Sequence, residues 1–199
     1  MAVLVTGGAR SGKSGFAEAY SARIGARGLY VATSQPFDRE MAERAERHRL
    51  DRASSGFEWE TVEEPFALAE LLGRLSSAYG GARSGEPPVV LVDCLTLWLT
   101  NRLLALEEKE GCTAREADGE MERLIDELVH AAVRYPHPLV LVTNEVGSGI
   151  VPDYPLGRRF RDLAGRLNRR MAEVCDRVFL VTAGIPVDLK KLAFRLEEL

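Results

Sequence analysis

Five aliphatic or β-branched runs punctuate the chain, at Ala2 to Thr6, Leu29 to Thr33, Pro88 to Val92, Leu139 to Thr143 and Val178 to Thr182. Each is continuous rather than alternating, the pattern of strands covered on both faces in a parallel sheet. Between them, apolar residues recur at helical spacing in Phe16 to Ile24, Phe66 to Leu75, Met121 to Val133 and Phe160 to Val174. The alternation predicts an α/β fold, a mostly parallel sheet with helices on both faces and ligand bound beyond the carboxyl ends of the strands. Two stretches break the rhythm. Residues 80–88, GGARSGEPP, read as a surface connection, and residues 37–65 as a long charged excursion, DREMAERAERHRLDR forming a solvated helix and SSGFEWETVEEP a looser segment. Excursions of that length are often functional.

Composition narrows the class. A chain of 199 residues suits one domain, spanning 1–199, with a sizeable core. The net charge of -4 lacks the positive field that captures nucleic acid, so no nucleic-acid partner is expected. Cys94, Cys112 and Cys175 form no CxxC pair and read as buried or inert thiols of a reducing compartment. The N-terminus runs straight into a strand, without the charged and apolar regions of a leader, and no apolar run approaches the roughly 20 residues of a membrane-crossing helix. A cytoplasmic protein with no membrane span is the expectation.

One motif carries specific chemistry. Gly7-Gly8-Ala9-Arg10-Ser11-Gly12-Lys13-Ser14 follows an apolar strand and precedes an amphipathic segment, the context a P-loop requires. Its glycines let successive backbone N–H groups face one centre, where a helix start adds partial positive charge. Phosphate is the natural occupant, with Lys13 reaching the β and γ phosphates and Ser14 ligating the bridging Mg2+. Asp93 ends the run PVVLVD at the same sheet edge and resembles a Walker B acid, holding Mg2+ or nucleotide; an ordinary strand-end acid is the alternative. Asn144 and Glu145 end the fourth run, and the glycines after them suit either a substrate-orienting loop or a structural turn. The arginines of 158–170 suit phosphate contacts, or else helix surface charge or a subunit contact, and Trp59 and Trp98 suit base stacking or core packing. His130 and His137 read as structural. From pattern alone His48, flanked by Arg44, Arg47, Arg49 and Arg52, is a surface histidine on a solvated helix.

Taken together, LVTGGARSGKS, YVATSQ, EMAERAERHR, WETVEEP, VTNEVGSGIVP and FRDLAGRLNRRMAEVCDRVFLVTAGIPVDLK resemble the bifunctional adenosylcobinamide kinase/adenosylcobinamide-phosphate guanylyltransferase family of cobalamin biosynthesis, over nearly the whole chain. The resemblance implies a P-loop NTPase-type, RecA-like sheet, with GTP, ATP and Mg2+ as nucleotides and metal. It implies adenosylcobinamide and adenosylcobinamide-phosphate as substrates, the second accepting GMP through a GMP-histidine. His48 matches the family's nucleophile, and Lys13, also catalytic, would stabilise charge on the transferring phosphates. Thr33, Ser34, Arg49, Leu50, Asp51, Arg52, Glu63 and Asp93 are directed toward the nucleotide; a Glu63 carboxylate suits the guanine N1–H and amino group. A homotrimer is implied as well. A P-loop small-molecule kinase without guanylyl transfer, or a nucleotide-dependent regulatory switch, are the competing readings. Ala45 replaces the family's aliphatic residue before the histidine, and RASSGFEW is longer than the family's connection.

Overall fold

The computed structural model describes residues 1–35, 43, 49–50, 52–80 and 86–194. Among them, seven strands form one sheet: β1 (Ala2–Gly7), β2 (Arg27–Ala32), β3 (Glu58–Glu63), β4 (Val89–Asp93), β5 (Leu139–Val142), β6 (Arg177–Thr182) and β7 (Ile185–Asp188). Their order is β3-β2-β4-β5-β1-β6-β7. Every pairing is parallel except that of β6 with β7. The helices are α1 (Lys13–Ile24), α2 (Leu68–Tyr79), α3 (Leu95–Glu107), α4 (Ala114–Arg134), α5 (Pro155–Val174) and α6 (Leu189–Leu192). The expected mostly parallel α/β sheet with helices on both faces is thus present. One strand, β5, separates the P-loop strand β1 from the acid-bearing strand β4.

The two faces are covered unequally. Side chains alternate along a strand, so Val3, Val5, Leu91, Val140 and Val142 pack with Ala17, Phe16 and Tyr20 of α1, while Leu4, Val90, Val92, Leu139 and Leu141 pack with residues of α2 to α5. Both surfaces of β4 and β5 are therefore apolar, which explains their continuous runs. On the broader face, α4 begins with a reciprocal cap, Thr113 Oγ1 accepting from the Glu116 N–H while the Glu116 carboxylate accepts from the Thr113 N–H.

Three elements depart from the expected pattern. The stretch read as loose, SSGFEWETVEEP, contains β3, an edge strand whose solvent-facing Glu58 and Glu60 gave it a polar, loop-like composition; charge on an exposed edge also discourages pairing with another chain. Helix α3 follows β4 after a single residue, so strand and helix merge into one apolar run in which Trp98, Leu99 and Leu103 are buried. The hairpin strand β7 is four residues long and exposed at its start. Of the expected charged helix, residues 49–50 and 52–54 are helical and most of the rest lies outside the described residues. Cys94 and Cys175 are buried, whereas Cys112 is partly exposed.

Leu99 is fully buried in the larger core. Leu99→Ala should lower unfolding free energy by about 2–5 kcal/mol, read from a shift in the urea midpoint at unchanged slope.

Candidate functional site

The turn between β1 and α1 holds two glycines for two different reasons. At Gly7 a Cβ would stand 2.4 Å from the Val181 carbonyl oxygen and 2.7 Å from Ser11 Oγ, so backbone passes where no side chain fits. Gly12 has φ +92°, a left-handed conformation, as the residue that caps α1. Gly8 needs neither allowance, and its added Cβ would meet open space. Arg10 instead takes φ +56°, uncommon outside glycine. Hydrogen bonds from the Ser11 N–H to the Gly8 carbonyl and from the Gly184 N–H to the Ser11 carbonyl fix the loop against the β6–β7 hairpin.

The start of α1 receives no side-chain cap, and no acidic residue lies in its first turn. Its leading N–H groups and partial positive charge therefore face the loop's hollow, an arrangement suited to an anion. Lys13 is buried and its Nζ donates to the Gly8 carbonyl at 3.1 Å, folding the amine back into the loop. Ser14, half-buried, follows it on the first turn.

Strand register brings the acid to the same edge. Ala32 lies level with both Asp93 and Glu63, so the ends of β3, β2 and β4 form a row at the carboxyl edge. The Asp93 carboxylate is on the α1 face, where Oδ2 accepts from the Tyr30 hydroxyl at 3.2 Å. Burial, and next the negative Asp93, push the Tyr30 hydroxyl above its usual range, which keeps it protonated and donating. Behind Tyr30 lies Arg52, whose guanidinium carbon sits 3.5 Å from the ring centroid and whose Nη1 is 3.5 Å from Glu18 of α1. Arg52 is only 4% exposed, and its Nε and Nη1 lack hydrogen-bond partners among the described residues. The segment that carries His48 is thereby anchored, at its end, to the P-loop helix and to the strand beside Asp93.

The predicted residues fall into distinct groups. Gly7, Gly8, Ala9, Arg10, Ser11, Gly12, Lys13, Ser14 and Asp93 converge on one edge of the sheet. Thr33 is fully buried, its hydroxyl donating to the Cys94 carbonyl and accepting from the Cys94 N–H, so it braces the end of β4. Asn101 of α3 donates to the Thr33 carbonyl at 2.8 Å and locks the same point. Ser34 is half-buried just beyond, Glu63 is exposed at the edge strand, and Arg49 and Leu50 are exposed. His48 and Asp51 lie outside the described residues. Sequence pattern missed Tyr30 and Glu18, because each reads as an ordinary member of its strand or helix and gains meaning only from Arg52 across the fold.

Other candidates resolve into packing. Arg159 pairs with Glu107 and Asp118, Arg166 with Glu122, Arg170 with Asp126 and Arg169 with Glu173, while Arg158 and Arg161 donate to loop carbonyls. All six arginines of 158–170 are thus engaged within the fold, the surface-charge alternative. Trp98 is buried with its indole N–H on the Phe66 carbonyl; Trp59 covers Gly28 and meets Tyr30 edge-on. Burial pushes the Cys94 thiol up to about 12, so it is not a nucleophile near neutral pH. Among the described residues no three His, Cys, Asp or Glu side chains gather into a metal cage. Ser14 and Asp93, two oxygen donors beside an anion cradle, fit an ion such as Mg2+ that keeps waters and binds chiefly through phosphates. No helix of the described residues is long and apolar enough to cross a membrane.

A family model described as cobinamide kinase / cobinamide phosphate guanyltransferase matches residues 3–189. The bifunctional adenosylcobalamin biosynthesis protein CobP of Pseudomonas aeruginosa is 43% identical over 187 residues, covering 94% of this chain and 96% of the relative. The corresponding CobU proteins of Escherichia coli and Salmonella typhimurium are 42% and 43% identical, each covering 96% of this chain and 100% of the relative.

Gly12→Ala forces a Cβ into the left-handed region and to 3.4 Å from Gly184 Cα. Stability should fall by about 1–2 kcal/mol, and titration with a fluorescent nucleoside triphosphate should show affinity at least about tenfold weaker.

Proposed function

The chain belongs to the cobinamide kinase / cobinamide phosphate guanyltransferase family, and on that premise we propose that it phosphorylates the aminopropanol hydroxyl of adenosylcobinamide, then transfers GMP from GTP to the resulting phosphate through a covalent GMP-histidine on His48. The observation that carries the reading is the uncapped start of α1, wrapped by residues 7–14, with Asp93 at the same sheet edge. That arrangement suits a triphosphate, which both reactions need.

In the first reaction, the hydroxyl oxygen attacks the γ-phosphorus of GTP or ATP, the bond to the nucleoside diphosphate breaks, and the hydroxyl proton is released. The loop N–H groups and Lys13 hold the phosphates and offset the charge on the transferring group. Ser14 and Asp93 would hold Mg2+, which supplies further neutralisation of the β and γ oxygens when bound. In the second reaction, the His48 imidazole attacks the α-phosphorus of GTP, forming a P–N bond as the bond to pyrophosphate breaks. An oxygen of adenosylcobinamide-phosphate then attacks the same phosphorus, giving adenosylcobinamide-GDP and freeing the imidazole. Histidine serves because it is both a capable nucleophile and a capable leaving group. Arg52 supports this assignment: four residues along the chain from His48, it is lodged between Glu18 and Tyr30 on the phosphate-binding face. Glu63, exposed and level with Ala32 at the edge of the row, is suited to the guanine N1–H and amino group.

The working form proposed is a cytoplasmic homotrimer. Exposed apolar side chains on and after the β6–β7 hairpin, Ile185, Leu192 and Phe194, supply surface for subunit contact, and sedimentation equilibrium should return three times the 21.9 kDa chain mass.

Incubation with α-labelled GTP should leave acid-labile, alkali-stable label on the protein, γ-labelled GTP none, and His48→Ala should lose the adduct while keeping kinase activity within about threefold, because the kinase step uses no imidazole. A wild-type enzyme that phosphorylates adenosylcobinamide yet takes up no α-label would reduce the function to a simple kinase. Nucleotide binding with neither product would make it a regulatory switch.

A further inference from the structure

Four polar residues cluster where the broader core meets the end of β5: Thr96, Thr143, Asn144 and Asn168. Thr96 of α3 is 8% exposed, Thr143 is 1% and Asn168 of α5 is 9%. Burying such groups in an apolar layer is unfavourable unless each is satisfied. Here the bonds converge on Asn144. Thr143 Oγ1 donates to Asn168 Oδ1 at 2.7 Å, and Asn168 Nδ2 donates to the Asn144 carbonyl at 2.9 Å. The Asn144 N–H donates to Thr96 Oγ1 at 2.8 Å, and Thr96 and Thr143 share a hydrogen bond of 3.3 Å. Both backbone groups of Asn144 are therefore held by side chains from two helices.

The face on which Asn144 projects follows from the ladder. Beyond β5, the Thr143 N–H still donates to the Val5 carbonyl and the Glu145 N–H to the Gly7 carbonyl, so the strand geometry continues to Glu145. Val140 and Val142 pack on the α1 face, whereas Leu141 and Thr143 turn to the broader face. Alternation then sends Asn144 to the α1 face, the side of Lys13 and Asp93, and Glu145 to the other. The contact between Asn144 Nδ2 and Cys94 Sγ, 3.9 Å, agrees with that placement, Cys94 being part of the α1-side core. Since β5 lies between β1 and β4, Asn144 stands between the P-loop and Asp93. It is half-buried, and sulfur is a weak acceptor, so its carboxamide keeps donor and acceptor capacity for a ligand.

We propose that Asn144 is a catalytic residue of the phosphoryl-transfer step, its carboxamide donating to the γ-phosphoryl group in flight, and that Asn168, Thr143 and Thr96 are the positioning residues that aim it. The proposal rests on the kinase function inferred above. A neutral donor fits this role, because charge spreads over the three equatorial oxygens of the transferring group and a fixed N–H stabilises it without competing with Lys13 or exchanging a proton. The buried cluster explains how a residue on a loop is held to the tolerance such a contact needs.

The test compares Asn144→Ala, Asn168→Ala and the double variant. The readouts are transfer of γ-label to adenosylcobinamide, α-label uptake by the protein, affinity for a fluorescent GTP analogue, and thermal unfolding. Asn144→Ala should lower the kinase kcat by about a hundredfold, with nucleotide affinity and α-label uptake changed by less than about threefold and unfolding unchanged. Asn168→Ala should lower kcat by about tenfold at unchanged KM, and the double variant should be no slower than Asn144→Ala, because the aim of an absent carboxamide no longer matters. Effects that multiply in the double variant overturn the positioning role. Kinase kcat within about threefold of wild type in Asn144→Ala, or a parallel loss of α-label uptake and nucleotide affinity, overturns the catalytic role; Asn144 is half-buried, so its variant decides the matter even if Asn168→Ala fails to fold. A wild-type enzyme that transfers no γ-label overturns the kinase reading instead.

Discussion

An α-helix that begins without a cap has to find a partner for its first N–H groups, and that requirement organises this protein. The first turn of α1 has neither a capping side chain nor an acid, and Gly12 turns left-handed to start it. In water alone such an end is a modest loss; wrapped by a loop that aims further N–H groups at the same point, it becomes a site for several negative charges. The rest of the sheet supplies what surrounds that charge. Parallel pairing puts the carboxyl ends of β1, β4 and β5 on one edge, so Lys13, Asp93 and Asn144 meet there although they are far apart in the chain.

Unequal covering of the sheet separates chemistry from stability. The broader face carries α2 to α5 and most of the large buried side chains, including Leu99, Met121 and Ile125. The other face is covered by α1 and leaves room at its upper edge for Asp93, Tyr30 and Arg52. The arginines of α5 belong to the first group: Arg159, Arg166, Arg169 and Arg170 bind acids of α3, α4 and α5, exposed or half-buried pairs worth about 0–1 kcal/mol each, and Arg158 and Arg161 bind loop carbonyls. They hold a helix in place rather than a phosphate.

How far these features were legible depended on whether they are local. The P-loop could be read because loop, strand and helix signals are consecutive, and Asp93 because its strand is continuous and apolar. Strand β3 could not, since an edge strand that turns Glu58 and Glu60 to solvent has the composition of a loop. Helix α3 was hidden by its own hydrophobicity, its buried Trp98 and Leu99 extending the run of β4 without a polar break. Tyr30, Glu18, Thr96 and Asn168 carry no local signal at all. Their roles come from contacts between residues distant in the chain, such as Thr143 with Asn168 and Tyr30 with Asp93.

Those long contacts also explain how one edge accommodates two transfers. The stretch between β2 and β3 leaves the sheet at Thr33, whose hydroxyl and carbonyl are fastened to Cys94 and Asn101. It returns at Arg52, stacked on Tyr30, whose hydroxyl reaches Asp93. Both ends of the histidine-bearing stretch are therefore fixed beside the same acid. A desolvated guanidinium whose nearest carboxylate among the described residues stands at 3.5 Å is a costly anchor compared with an apolar side chain of similar size. What it adds is a direct mechanical connection between the end of the charged stretch, the P-loop helix and the strand beside Asp93, so that the triphosphate and the histidine nucleophile proposed above would share one frame of reference. A hydrophobic plug would pack as well, yet it would take from Glu18 the cation beside it and from the Tyr30 ring its cover.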